Sequence, residues 1–576
     1  MSEAPWIGID LGTSKICVSV YRNGKLEIIP SDLGEQSTPS YITFTNTKTF
    51  IGSSAKNQMK KNPNNSLFDL KRLIGHDFKM EELDKMKKYF PFELFVDYQT
   101  KKIQIEIEYN NNIKKRYFIE ELLAYELQKI RLSASIYLGN EVKNAVIGVP
   151  NSFNLEQREI IKDAAIISGF YFVKDVDEPT LAASLIALND LTKNKKEETY
   201  DIIIDLGGGF FSISAIAIED GLIEVKVSKG LSNLGGEDFD NRLIEYCATE
   251  FQKKNSIDIL KDPKALIRLK KECENAKKNL SSSQKTVIEV NEIINGNDLY
   301  IEITRDKFEQ LCNDLFEKCI PALDELLKDP ILAKEKLDNI YLIGGSSRIP
   351  KIQTILADYF KGKQLNKTLN PDESVSFGAS IQSAIRSNIK DGRIEYLILL
   401  NVSPISLGME IPGGEMNVII PRNSTVPCKK TILVPTFEKN QTSMVIKIFE
   451  GENKLTKDNN LLGILNFDGI PKKGKGEVNL EITLDIDALF IIRLDVREKS
   501  INKNMNMVLT YNNYRLDKNY MKSLIFEHKK EFERNLDNSK IKSKIEEIFN
   551  WIIEHRDASN DDINSKKDEL INLIEK

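Results

Sequence analysis

The chain has 576 residues, too many for a single hydrophobic core, and is expected to form roughly two to four domains. Its 81 basic and 86 acidic residues leave a net charge of −5, which gives no electrostatic footprint for nucleic acid and no attraction to a membrane surface. Six scattered cysteines without a CxxC pair, and only three histidines, argue against zinc or haem and for free buried thiols in a reduced, cytoplasmic compartment.

From the N-terminus the sequence enters a strand-like run at once, with no basic segment leading into a long apolar one, so no secretion signal is expected. No apolar run approaches the roughly 18 residues of a membrane-spanning helix. The stretch IGIDLGTSKICVSV (7–20) reads as strand, Asp10, tight glycine turn and second strand. Further on, NAVIGVP (144–150), NLEQREIIKDAAIISG (154–169) and FYFVKDV (170–176) alternate β-branched runs with helical spacing, the texture of α/β units around mostly parallel sheets. IIIDLGGGFFSISAI (202–216) then repeats the first turn. Each copy can aim backbone N–H groups at a phosphate while Asp10 or Asp205 faces a metal ion or its water. Two copies at this separation suggest related half-domains that face each other as a phosphate clamp.

In ECENAKKNLSSS (272–283), Glu274, Lys277, Lys278 and Ser281 recur at helical spacing, a pattern that a plain solvated face would also show. YLIGGSSRIPKIQ (341–353) gives a third glycine turn at a helix entrance, where backbone and dipole can hold phosphate or ribose. After residue 388 the texture changes. The apolar run YLILLNV (396–402) precedes about a hundred residues of alternating strands and turns, ending near Thr510, which reads as an antiparallel β domain. From Leu516 the spacing is helical, with Ile541, Ile545, Ile548, Phe549, Ile552 and Ile553 on one face, and Ser565 and Asp568 are placed like a capping box.

The paired Asp-Leu-Gly turns with LIGGSSRIP resemble the actin and sugar-kinase type of nucleotide-binding fold. NPNNSLFDLKRLIG (62–75), AVIGVPNSFNLEQRE (145–159), DEPTLAAS (177–184), LGGEDFDNR (234–242), LNPDESVSFGA (369–379), NVSPISLGMEI (401–411) and LTKDNNLLG (455–463) resemble, in collinear order, the 70-kDa heat-shock (DnaK-type) chaperones. The resemblance implies a multidomain α/β plus β chain: an actin-like two-lobed ATPase domain (1–388), a linker (389–401), a β-sandwich peptide-binding domain (402–510) and a short α-helical lid (511–576). It implies ATP/ADP with Mg2+ as cofactors and unfolded client polypeptides as partners.

Carried over by motif, Asp10 and Asp205 match the carboxylates around the metal, held through water, and around the attacking water, Lys71 matches the lysine that steadies that water and the γ-phosphate, and Glu178 matches the other acid near the metal shell. Thr13, Ser14, Lys15, Gly207, Gly208, Gly209, Gly344 and Gly345 fall on phosphate-contacting turns. Glu274, Lys277, Ser281, Ser346, Arg348 and Asp372 fall on the nucleoside pocket. Pro150 and Arg158 match a pair that relays nucleotide state. Ile411, Pro412, Val434, Phe437, Met444 and Ile446 fall on or near the peptide groove and its arch, positions that plain sandwich core would equally explain.

Several residues depart from the family pattern. Where the family reads Gly-Gly-Gly-Thr-Phe-Asp, this chain has Phe210 in place of the threonine and Ser212 in place of the second carboxylate, which predicts slowed phosphoryl transfer. Phe210 could face the nucleotide or pack into the sheet. Asn401 stands where the linker usually ends in Asp. Asp175 stands in place of an arginine, which predicts repulsion of acidic J-domain cochaperones and leaves cochaperone and exchange-factor use open. Pro435 removes a donor from a groove-edge strand. The leading expectation is a chaperone with weak hydrolysis, and the rival is a non-cycling, ATP-bound scaffold or cochaperone subunit of a larger assembly.

Overall fold

Two sheets of like design organise the first two-thirds of the chain. The computed structural model describes residues 5–75, 80–97, 100, 102–109, 113–193, 197–328, 332–488, 490–509, 521 and 523–525. In the first lobe, β1 (Trp6–Leu11), β2 (Lys15–Arg22), β3 (Lys25–Ile28), β4 (Asn144–Val149) and β5 (Phe172–Asp177) lie in the order β5-β4-β1-β2-β3. In the second, β6 (Thr199–Leu206), β7 (Phe210–Glu219), β8 (Leu222–Ser232), β9 (Asn339–Ile343) and β10 (Leu365–Asn366) lie as β10-β9-β6-β7-β8. In both lobes the strand that ends in the Asp-Leu-Gly turn pairs antiparallel with the next strand and parallel with a later one. The duplicated sequence motif is therefore a duplicated sheet.

The helices that matter for the cleft are α1 (Ile119–Leu138), α2 (Leu155–Ile167), α3 (Glu178–Thr192), α4 (Gly236–Asn255), α5 (Pro263–Ser282), α6 (Pro350–Tyr359) and α7 (Ser374–Arg386). Asn154 caps α2, its side chain accepting from the Gln157 N–H at 2.9 Å. Helix α7 lies unusually close to β1 and β2 because small residues meet there. A Cβ on Gly8 would stand 2.6 Å from the Ser376 carbonyl, Ser19 donates to that same carbonyl at 2.7 Å, and Ser383 donates to the Ile7 carbonyl at 2.8 Å.

In the core of the first lobe, Glu126 on α1 is fully buried, with one carboxyl oxygen accepting from Ser40 at 2.9 Å and the other meeting no partner among the described residues. Burial pushes its pKa up to about 8, so the folded state keeps a proton that the unfolded chain releases near pH 4. Its stability contribution is thus complete below about pH 4 and is lost as the pH rises towards 8. Glu126→Gln is expected to raise the melting temperature by about 3 °C or more at pH 8.5 and to change it little at pH 5, as thermal melts at the two pH values would show.

The third unit is a β-sandwich. Strands β12 (Leu407–Ile411), β13 (Glu415–Ile420), β16 (Ser443–Glu450) and β17 (Asn460–Asp468) form one sheet. Strands β15 (Cys428–Pro435), β18 (Asn479–Ile486), β19 (Ile492–Glu498) and β20 (Lys503–Leu509) form the other, and alternate side chains of both meet in a single apolar core. Pro435 is the last residue of β15, an edge strand, where a missing N–H costs least.

The apolar run before the sandwich is itself a strand. β11 (Ile398–Val402) adds to the second lobe parallel to β8, and its last residues pair with the short β14 (Thr425–Val426) of the sandwich. The sandwich is docked on the lobes by further contacts: Arg422 donates to the Ser228 carbonyl at 2.9 Å, Leu155 packs against the sandwich core, and Lys174 of β5 donates to the Ala488 carbonyl at 3.4 Å. The Lys174 ammonium also stands 4.6 Å from the Phe490 ring centre. Phe490 has a φ of +60°, a left-handed conformation that is costly for a bulky residue. Phe490→Gly relieves that strain but also removes a ring that packs partly buried against the sandwich core, so its two effects on sandwich melting oppose each other, while loss of the contact with Lys174 is expected to speed protease cleavage of residues 389–401 several-fold.

The expected helical end lies outside the described residues except at 521 and 523–525, which are helical, with Met521 and Leu524 buried against Ala124 and Ile167 of the first lobe.

Candidate functional site

The two glycine turns face each other across a cleft of about 450 Å³ between the lobes. A Cβ on Gly209 would stand 2.8 Å from the Thr13 hydroxyl, and one on Gly235 would stand 2.5 Å from the Gly208 carbonyl, so only glycine lets the turns interlock this closely. Asp10 ends β1 and Asp205 ends β6, each delivered to the cleft by its strand. Glu178 opens α3, and Lys71 lies on a short 3-10 turn. Thr13, Ser14, Lys15, Gly207, Gly208 and Gly209 line the middle of the same cleft, with Glu274, Lys277 and Ser281 from one face of α5, and Gly344, Gly345, Ser346, Arg348 and Asp372 from the turns around α6 and α7. Every residue that the motifs single out for nucleotide, metal or catalysis thus lines one cavity. It also takes in Lys56 and Glu237, which the sequence reading gave no role.

Buried acids crowd one end of the cleft. Burial pushes the Asp10 carboxyl up to about 7, with repulsion from Glu178 adding to it, and burial together with repulsion from Glu178 and Asp10 lifts Asp205 well above the usual carboxylate range. Lys71 donates to Glu178 at 2.7 Å, one cation among three acids. That excess of buried negative charge suits a divalent cation. Among the described residues no three acidic, His or Cys side chains converge on one point, so a Mg2+ ion would reach Asp10 and Asp205 through water and phosphate oxygens rather than in an all-protein cage.

Phe210 lines this same end, 8% exposed, with its ring edge-on to Phe153 at 5.4 Å between centres. It therefore both faces the cleft and packs. Ser212 does not reach the cleft: it is 1% exposed and accepts a hydrogen bond from the Asn151 N–H at 3.2 Å, because the turn after β4 lies over β7 there. The residue that stands in place of the family's second carboxylate is therefore covered and does not border the cleft. Lys15 bridges to Asp372, which also accepts from Arg348 at 2.7 Å, so in this arrangement a carboxylate holds the Lys15 ammonium at the cleft mouth.

The Hsp70 protein family profile matches residues 6–576. The chain belongs to the Hsp70 family. It is 39% identical over 603 aligned positions to a heat shock 70 kDa protein of Neurospora crassa, covering 98% of this chain and 92% of that protein. It is also 39% identical over 603 positions to heat shock cognate 70 kDa protein 3 of Dictyostelium discoideum, covering 99% and 95%.

One further expectation for this Hsp70 chain is corrected by burial. Asp175 on β5 is 2% exposed and pairs with Arg158 at 3.1 Å and Lys162 at 3.1 Å. Burial alone would raise its pKa, but Lys162 and Arg158 outweigh it and hold the carboxyl well below its ordinary value. A charge neutralised inside the lobe does not repel a partner at the surface. Arg158 also pairs with Asp177, so the expected relay residue is fixed by two acids from one strand, while Pro150 is buried at the turn after β4. The Asn401 side chain accepts from the Val402 N–H at 2.8 Å, a local bond within the docked strand.

Of the six expected groove residues, Val434, Met444 and Ile446 are buried in the sandwich core and Phe437 packs partly buried against it. Ile411 is half-buried at the end of β12 and Pro412 is exposed in the turn that follows. The first four are brought together, and in this docked arrangement they are core.

Proposed function

We propose that this Hsp70 chain is a nucleotide-dependent chaperone, binding ATP or ADP with Mg2+ in the interlobe cleft and extended apolar polypeptide segments on the β-sandwich, with weak hydrolysis. The observation that carries the reading is the convergence of all the motif residues on one cleft between duplicated sheets. The reading takes the division expected from the sequence: a nucleotide-binding domain (1–388), a linker (389–401), a substrate-binding sandwich (402–510) and a helical lid (511–576), the last lying almost wholly outside the described residues. Free cysteines throughout the described chain fit a reduced, cytoplasmic setting. The scaffold alternative draws no support from near-full-length likeness to heat shock proteins.

In this reading the glycine turns present backbone N–H groups to phosphate oxygens. Glu274, Lys277, Ser281, Ser346, Arg348 and Asp372 hold the nucleoside. Mg2+, when bound, would supply positive charge to the phosphates. Asp10 and Asp205 would hold it through its waters, and Glu178 holds Lys71 where its ammonium can order a water for attack on the terminal phosphate. Groove residues Ile411, Pro412, Val434, Phe437, Met444 and Ile446 would line a peptide site once the sandwich undocks and opens.

Calorimetric titration with Mg-ADP tests the reading. Gly344 has a φ of +76°, and a Cβ there would collide with the Asp205 carboxylate and stand 2.5 Å from the Leu206 carbonyl. The native chain is expected to bind one equivalent, and Gly344→Ala to bind at least about a hundred-fold more weakly, the cost of a strained, displaced phosphate turn. A folded native chain that binds no nucleotide would contradict the reading.

A further inference from the structure

The acidic end of the cleft offers little to a third phosphate. Phe210 opens β7 and lines the cleft, and its edge-on packing against Phe153, at an interplanar angle of 87°, holds the ring in place. The Lys71 ammonium stands 5.8 Å from the Phe210 ring centre and 5.9 Å from that of Phe153. Its charge is already matched by Glu178 at 2.7 Å. Asp10 and Asp205 at that end are acids, and Lys15, whose charge reaches Asp10, is itself paired with Asp372. Of the remaining cations along the cleft, Lys277 is committed to Asp240, while Lys15, Lys56, Lys278 and Arg348 stand at the rim with side chains 37–64% exposed. Rim cations in surface ion pairs exchange one anionic partner for another at little cost, so the outer cleft can accept phosphate charge with its own side chains, whereas the inner end has only the charge that a bound Mg2+ would supply.

We propose that the cleft is selective for a nucleoside diphosphate over the triphosphate, because the Phe210 ring occupies the end of the phosphate track beside a lysine whose charge Glu178 already takes. This inference rests on the nucleotide-binding reading above and adds its ligand preference. A terminal phosphate pressed against the ring loses water without gaining a donor, and a charged acceptor left short of one hydrogen bond is disfavoured by about ten-fold or more in affinity. The Phe153 contact strengthens the effect, since a ring locked by its neighbour cannot swing aside.

The test is equilibrium calorimetry on the full chain with Mg-ADP and with the magnesium complex of the β,γ-imido analogue of ATP, which removes hydrolysis from the readout. The native chain is expected to bind ADP at least about ten-fold more tightly than the analogue. Phe210→Thr restores a hydroxyl and is expected to bring the two affinities within about three-fold, whereas Phe210→Leu keeps an apolar wall and the preference with it. Equal native affinities overturn the proposal, as does a Phe210→Thr protein with an unchanged ratio. Should Phe210→Thr fail to fold, the native ratio and Phe210→Leu decide the matter. Binding of neither ligand would instead defeat the nucleotide reading itself.

Discussion

Gly378→Ala is expected to destabilise the lobes by about 3 kcal/mol or more, seen as a shifted denaturant midpoint and a loss of soluble protein. Gly378 lies on α7 where that helix crosses α3, and a Cβ there would drive into the backbone carbonyl of Leu181, with Leu181 Cα only 3.0 Å away. A side chain can rotate out of such a clash, but two helix backbones must move apart. Their separation would strain the bond from Gln382 to Ser184 and the serine bonds that tie α7 to β1 and β2. It would also lift Glu178, the first residue of α3, away from Lys71. Gly392→Ala is the matched control: a Cβ there meets nothing within 4 Å, and the change is expected to stay within about 0.5 kcal/mol.

The second large effect is catalytic. In single-turnover hydrolysis of pre-bound ATP, Phe210→Thr is expected to be faster than the native chain by at least about ten-fold, since one well-placed donor at a developing charge accounts for 10²–10³ in comparable sites. The threonine hydroxyl would stand beside Lys71, where the native chain has only ring carbons. Adding Ser212→Asp is not expected to help. That side chain is enclosed beneath the Asn151 turn and pairs across the strand with Asp205, so a second carboxylate would be buried without access to the cleft. An unchanged rate for Phe210→Thr would show that the ring acts only as packing.

Much of the site was legible because its chemistry is local in sequence. A strand, an acid and a glycine turn occupy a few adjacent residues, and their duplication announces two facing halves. One face of α5 and the Gly344–Gly345 turn are legible for the same reason. Placement across elements was not. Asp175 reads as a surface charge until Arg158 and Lys162, on a helix packed against its strand, close over it. Period-two spacing sets Phe210 and Ser212 on one face of β7, yet only the tertiary path of residues 150–153 decides that the first borders the cleft and the second is covered. The run 396–402 carries its apolar character openly, but its pairing with β8 depends on a partner some 175 positions earlier. Lys56 sits in no glycine turn, and Glu237, though it follows Gly235 and Gly236, opens a helix whose direction into the cleft is set by contact with Gly208 in a turn some thirty residues earlier.

Nucleotide in the cleft is proposed to govern a polypeptide on the sandwich, and the release rate of a labelled, extended apolar peptide, followed by fluorescence anisotropy, reads that coupling in one step. Mg-ATP is expected to speed release at least about ten-fold over Mg-ADP, and Gly344→Ala to lose the difference, as for a ligand that shifts a two-state equilibrium by differential binding. Peptide release that is indifferent to nucleotide, in a native chain that binds it, would refute the coupling and leave a scaffold that holds its nucleotide without using it.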